Sequence, residues 1–244
     1  MKFFLYGFLL LGLVCTADAD ILLVDEHNKE KIICEDGEEF LREDTEIFTQ
    51  NGVIPWTGDL ILVEIKKVRL TLYRHGKVLK TYPVAVGKPS TPSPVGEWKI
   101  VHKGGKWGGG FGDRWLGLNV PWGIYGIHGT NMPASIGRAA SHGCIRMFNH
   151  NVRELYALVK IGTPVHIIGD LPKVSLRKEF ARKDTGKEVL WVQFALRKSG
   201  FEPGPADARF GPGTENAVLK LQYFYGLPAT GRLNMNEQYL IGLR

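Results

Sequence analysis

Few side chains here can do covalent chemistry, and most of them fall in one stretch. Ser141-His142-Gly143-Cys144-Ile145-Arg146-Met147 holds one of only three cysteines in 244 residues. His142 lies two positions before Cys144, and His128 lies further upstream in Ile127-His128-Gly129-Thr130. A thiol is a strong nucleophile only as a thiolate, and a nearby imidazole can take its proton. Glycine at 143 lets the backbone pass close to a substrate and can aim amide N–H groups at a developing oxyanion. Arg146 offers a planar fork of donors suited to carboxylates. A lone cysteine is most often a small buried hydrophobe. This ordered set of cysteine, histidines, glycine and arginine points to nucleophilic catalysis instead.

The set resembles the signature of the L,D-transpeptidase family of bacterial cell-wall enzymes: His-Gly, a variable gap, then Ser-His-Gly-Cys, an apolar residue and Arg or Asn. Tyr82 to Gly87 and Thr91 to Gly96 are similar to the family's first strands, and Trp115 to Leu118 and Tyr125 to Gly129 to its central ones. The resemblance covers residues 57–169 and implies a mainly β catalytic domain, sandwich-like or barrel-like, with a short helix. It implies Cys144 as nucleophile and His128 as general base and then acid. The Gly129 carbonyl would hold the second nitrogen of His128, as the acidic member does in a serine triad. The amides of His142, Gly143 and Cys144 are the expected oxyanion hole. Arg146 would bind a stem-peptide carboxylate, with Ser141, Trp115 and Tyr125 as further substrate contacts.

The implied reaction is attack on the bond between the L-centre of diaminopimelate and a terminal D-alanine. A thioester forms, D-alanine leaves, and the side-chain amine of a second stem gives a 3→3 cross-link. An L,D-carboxypeptidase, with water as acceptor, and a non-catalytic wall-binding protein are the alternatives. Papain-like peptidases place the nucleophile early and its histidine late, opposite to the order here.

Strands and turns must deliver these residues. Leu60 to Val63 is a continuous apolar run, and Val68, Leu70 and Leu72 alternate with polar residues as a half-buried strand does. Arg74 to Lys77 has turn composition, Val78 to Val86 returns as a strand, and the Pro-rich run 89–94 is a loop. Gly104 to Gly117 lacks the Gly-Lys-Ser/Thr of a phosphate cradle and reads as a flap over a cleft, with Trp107, Phe111 and Trp115 as apolar walls. Trp122 to His128 is a strand whose end delivers His128. Pro133 to Arg138 suggests a helical turn. Asn149 or Asn151 can cap a helix marked by Val152, Leu155, Leu158 and Val159. Val165 to Ile168 reads as the closing strand. His75, His150 and His166 show no partner pattern, and no Cys/His cluster has zinc spacing, so neither metal nor cofactor is predicted.

Residues 170–186 are charge-rich with little apolar content and read as a linker. Beyond them Val189, Val192 and Leu196 mark a helix ended by Gly200. Ala217, Val218, Leu221 and Phe224 mark a second, opened by Thr214 and ended at Gly226, and Asn234 with Glu237 is the capping pattern of a third. This small three-helix α domain, 187–244, resembles the peptidoglycan-binding domain family through Asp207-Ala208-Arg209-Phe210-Gly211-Pro212-Gly213-Thr214. Ala208 stands where that family usually has glycine.

Residues 1–19 have the charged start, apolar run and Ala17-Asp18-Ala19 site of a secretory signal peptide, and no other stretch is long enough to span a membrane. Cys15 lacks the flanks of a lipobox. Export to the cell wall or periplasm is therefore expected, with no stable membrane insertion after cleavage and with Cys34 as a small buried hydrophobe. Residues 20–56 are a segment of unassigned role, with Ile21 to Val24 a short strand. Residues 20–51 sum to −8 and residues 52–244 to +14. A basic exported surface suits an anionic matrix such as peptidoglycan rather than nucleic acid, for which no motif is present.

Overall fold

The computed structural model describes residues 58–105 and 108–244 in full. Before them it describes three strands: β1 (Ile21–Val24), β2 (Glu30–Ile33) and β3 (Glu39–Leu41), an antiparallel sheet in chain order. The expected signal peptide, Cys34 and Trp107 lie outside the described residues.

Residues 53–244 form a compact unit of their own. Its scaffold is one eight-stranded sheet. In chain order its strands are β4 (Asp59–Glu64), β5 (Arg69–Arg74), β6 (Lys77–Pro83), β8 (Gly96–Gly104), β9 (Trp115–Leu118), β10 (Gly126–His128), β12 (Ile145–Arg146) and β13 (Pro164–Ile168). They lie side by side as β12-β10-β9-β8-β13-β4-β5-β6. Period-two alternation writes the core directly onto this order. Leu72, Ile61, Val165 and Trp98 stand in register across four strands, and all are buried. Val68, expected within a strand, sits before β5 with φ 43, in the turn that leaves β4.

The sheet curls because its two edges meet. Beyond β6, the Ala85 amide donates to the Arg146 carbonyl at 2.8 Å and the Arg146 amide donates back at 2.9 Å. The chain leaving one edge strand is thereby laced to the other edge strand, β12. Next to this seam β7 (Val86–Gly87) pairs in parallel with β11 (Ala139–Ser141). One helix, α1 (Asn149–Leu158), buries Val152 and Leu155 against the core. Pro133–Ser135 is a short 3-10 turn. The result is a curled, mainly β half-barrel with a short helix.

The C-terminal helices are α2 (Lys187–Lys198), α3 (Pro212–Phe224) and α4 (Met235–Leu240). Asn234 and Glu237 form the reciprocal capping box that opens α4. Thr214 does not open α3. Gly211 precedes Pro212 there, and the Thr214 hydroxyl instead accepts from Gln193 at 3.2 Å. Phe224, expected in the core, is 72% exposed. Ala208 adopts φ 59, the left-handed conformation that explains why glycine is usual at this place.

Residues 170–186 differ from the linker expected of them. Phe180 is fully buried in the helical core and exchanges backbone hydrogen bonds with Leu233, at 3.0 and 2.8 Å. Thr185 bridges to Arg209. The charges that gave the stretch its linker composition lie on the outside, as in the Arg177–Asp184 and Arg182–Glu215 ion pairs, while one aromatic residue anchors it.

The helical unit is also built into the sheet. Leu190, Ala206 and Ala208 share the core of the β unit. Arg197 grips Glu97 of β8 through two hydrogen bonds, at 2.6 and 3.0 Å, and the Ala206 amide donates to the same carboxylate at 2.8 Å. Burial alone would raise the Glu97 carboxyl. Arg197 and the Ala206 amide outweigh it and hold the carboxyl below its ordinary value. Its contribution to stability is therefore complete above the unfolded carboxyl's pKa and is lost as pH falls through the lower folded value. Glu97→Ala should cost about 3 kcal/mol, because it leaves Arg197 buried without its main partner. Thermal unfolding followed by circular dichroism checks this, and an unchanged midpoint at neutral pH would contradict it.

Candidate active site

Strand register gathers the chemistry on one face. On β10, His128 stands opposite Trp115 of β9 and beside Arg146 of β12. Gly126 stands opposite Gly117 and, continuing the same register, beside Cys144. Residues in register share a face, as do residues two apart on one strand. Trp115, Gly117, Gly126, His128, Cys144 and Arg146 are therefore on one side of the sheet. The intervening residues Leu116, Ile127 and Ile145 face the hydrophobic core, each at 0–1% exposure.

The His128 ring is clamped. Trp115 stacks on it at 5.6 Å with an interplanar angle of 24°, and Phe111 meets it edge-on at 5.1 Å. Two glycines make room for the indole. A Cβ on Gly126 would come within 2.6 Å of a Trp115 ring carbon, and one on Gly117 within 2.9 Å of its Nε1. Nδ1 of His128 lies 2.5 Å from the Gly129 carbonyl oxygen. A carbonyl can only accept, so Nδ1 carries the proton and Nε2 of the neutral ring keeps its lone pair. Burial pushes the His128 pKa down to about 4, Arg146 adds to the fall, and the Gly129 and Phe111 carbonyls oppose it. Burial also raises the Cys144 thiol, against the Gly126 amide and the Arg146 charge. At neutral pH the resting pair is thus a neutral imidazole and a neutral thiol.

Ser141 is a brace and not the substrate contact expected of it. It is 1% exposed; its hydroxyl donates to the Cys144 carbonyl at 2.6 Å and accepts from the Gly143 amide at 3.0 Å. That bond also removes the Gly143 amide from the expected oxyanion hole. The amides of His142 and Cys144 have no hydrogen-bond partner among the described residues. Gly143 itself has φ 117, and a Cβ there would strike the Tyr125 ring at 2.7 Å. Trp115 departs from expectation too: it is 3% exposed and positions His128 instead of lining an open wall. Tyr125 and the exposed His142 do line a cleft. Nε of Arg146 is buried without a hydrogen-bond partner. A buried donor left unsatisfied costs about 1–3 kcal/mol, so a ligand that accepts from it recovers that loss.

Sequence reasoning missed Asn149, which it read as a candidate helix cap. Phe148 is the residue that precedes α1, and no side chain caps the helix. The Asn149 side-chain oxygen instead accepts from the amides of Thr130 at 3.1 Å and Asp113 at 3.3 Å. It lies where side chains at Gly112 and Gly129 would be, 2.3 and 2.1 Å from their ideal Cβ positions. Asn149 thus ties the flap to the loop whose carbonyl holds His128, and Arg153 of α1 adds an ion pair to Asp113. The signal in the sequence was three residue types, Gly112, Gly129 and Asn149, whose proximity no local pattern reveals.

Comparison with known proteins identifies the family. Residues 58–167 match the family model of the L,D-transpeptidase catalytic domain, and residues 185–237 match that of a peptidoglycan binding domain. YkuD of Bacillus subtilis, a protein assigned to the L,D-transpeptidases, is 51% identical over 107 residues, 44% of this chain and 64% of that protein. YqjB of the same organism, assigned likewise, is 35% identical over 49% of this chain and 77% of its own length. The NMR structure of the catalytic domain of E. faecium L,D-transpeptidase is 26% identical over 46% of this chain and 98% of that one, with a TM-score of 0.41. The chain belongs to the L,D-transpeptidase family. It spans 64% of the length of YkuD, the first of these relatives.

The ionisation states carry a prediction. With a neutral resting pair, alkylation of Cys144 by iodoacetamide should rise about tenfold per pH unit through neutrality, without a plateau between pH 5 and 8. A flat rate over that interval would instead mean a preformed thiolate–imidazolium pair.

Proposed function

We propose that the chain is a cysteine acyltransferase that joins peptidoglycan stem peptides by 3→3 cross-links. The observation that carries this reading is His128, with Nδ1 tied to the Gly129 carbonyl, on one sheet face with Cys144 and Arg146. In this scheme Nε2 of His128 takes the thiol proton as the sulfur attacks the carbonyl of the diaminopimelate L-centre. Raising the thiolate only at that moment avoids a buried charge in the resting enzyme. The amides of His142 and Cys144 receive the oxyanion. Collapse breaks the bond to D-alanine, whose nitrogen takes the proton from His128. The side-chain amine of a second stem then loses a proton to His128 and attacks the thioester. The departing sulfur regains its proton, and the new amide is the cross-link. Two half-reactions over one thioester give ping-pong kinetics.

Arg146 supplies the fixed cation for a stem carboxylate, consistent with its unpartnered buried Nε. The match of the helical unit to a peptidoglycan binding domain supports a location on the wall or in the periplasm. The net +14 of residues 52–244 favours an anionic matrix. No helix among the described residues is long and apolar enough to cross a membrane.

Incubation with purified disaccharide-tetrapeptides, read by mass spectrometry, tests the reaction. Cross-linked dimer plus free D-alanine is expected, and Cys144→Ala should abolish both. Trimmed monomer alone would assign an L,D-carboxypeptidase. Unchanged substrate with correctly folded protein would overturn the enzymatic reading.

A further inference from the structure

A cleft of about 250 Å³ opens beside the catalytic face, and its two walls come from different parts of the chain. One wall is the loop 90–95 with Trp122, Tyr125 and His142. The other is Asp170, Pro172 and Lys187, the first residue of α2. The cleft reaches the reaction centre at two points. His142 is two residues from Cys144, and Tyr125 packs on Gly143.

The second wall is fixed in place. Glu97 and Arg197 lock α2 to β8. The Trp191 indole donates to the Pro172 carbonyl at 2.7 Å, and Arg209 donates to the Asn119 carbonyl at 2.6 Å. A pocket held open by buried contacts needs little reorganisation to receive a ligand.

Its electrostatics select the ligand. Asp170 is engaged by Lys66 at 2.8 Å. Lys187 has no ion-pair partner among the described residues, and its ammonium lies 6.0 Å from the centre of the Trp122 ring. The loop wall alternates the hydroxyls of Ser90, Thr91 and Ser93 with Pro92, Pro94 and Val95, and Trp122 adds an aromatic face. A trough of mixed apolar and hydroxyl lining with one cation that has no ion-pair partner among the described residues fits an extended peptide that carries a carboxylate.

We propose that this cleft binds the carboxylate-bearing arm of the peptide substrate, with Lys187 as its cationic contact. The helical unit then completes the substrate site. This inference rests on the reading of Cys144 as the nucleophile toward stem peptides, and its test separates the two. The full chain and its Lys187→Ala and Lys187→Glu variants are compared on a tetrapeptide stem. A matched series has the carboxylates other than that of the leaving D-alanine amidated one at a time.

Lys187→Ala should raise KM about three- to tenfold with kcat kept, as befits a partly exposed charge contact, and Lys187→Glu should raise it further. One amidated peptide should show the same rise with the unaltered protein and no further rise with Lys187→Ala. An unchanged KM, or an equal rise on every peptide of the series, would overturn the proposal. Equilibrium binding of the same peptides to Cys144→Ala protein gives a readout independent of turnover. Affinity that depends on Lys187 supports the cleft even if no turnover is seen, and that outcome faults the acyl-transfer reading alone. Affinity indifferent to Lys187 overturns the cleft assignment alone.

Discussion

The short hydrogen bond from Nδ1 of His128 to the carbonyl of Gly129 is the constraint on which the site depends. It favours the tautomer protonated at Nδ1. The rest of the face can be understood as what makes that bond possible. Gly129 must be glycine because the Asn149 amide occupies the space of a side chain. Gly117 and Gly126 are bare so that Trp115 can lie flat over them and stack on the imidazole. Asn149 then joins the flap at Asp113 to the loop at Thr130, which keeps the carbonyl in place. A carbonyl does the orienting work of a carboxylate without adding a charge that burial would penalise.

Burial sets the chemistry as much as proximity does. A desolvated imidazole titrating at about 4 is a weak base, and a desolvated thiol is a weak acid. Each is costly to charge in its buried position. Both groups are therefore held in their neutral forms. Arg146 acts on both partners, disfavouring imidazolium and favouring thiolate.

Much of this was legible from residue order. The run from Ser141 to Met147 with His128-Gly129 pointed to the family, and the apolar run from Leu60 to Val63 with the alternation at Leu70 and Leu72 marked two strands of the sheet. The helix spacing from Val189 onward and the Asn234–Glu237 box named the helical unit. What the sequence hid were tertiary facts. Ser141 and Trp115 are polar or aromatic residues beside a nucleophile, and nothing local distinguishes a brace from a substrate contact. Phe180 is one of a few apolar residues scattered without period through a charged stretch, too sparse a signal to mark an anchored segment. The Glu97–Arg197 pair joins residues a hundred positions apart, and only the folded chain shows it.

The helical unit accordingly shares a core with the sheet and carries part of the cleft, while His128 and Arg146 lie on β10 and β12. The account's central claim is that Cys144 carries the acyl group, with His128 moving the proton. Rapid acid quenching of the full chain with a tetrapeptide stem, followed by intact-protein and peptide-map mass spectrometry, measures this directly. The account predicts an adduct on Cys144 with the mass of the stem less D-alanine, accumulating more slowly in His128→Gln. Turnover with no adduct at Cys144, or an acyl group carried on another residue, would contradict it.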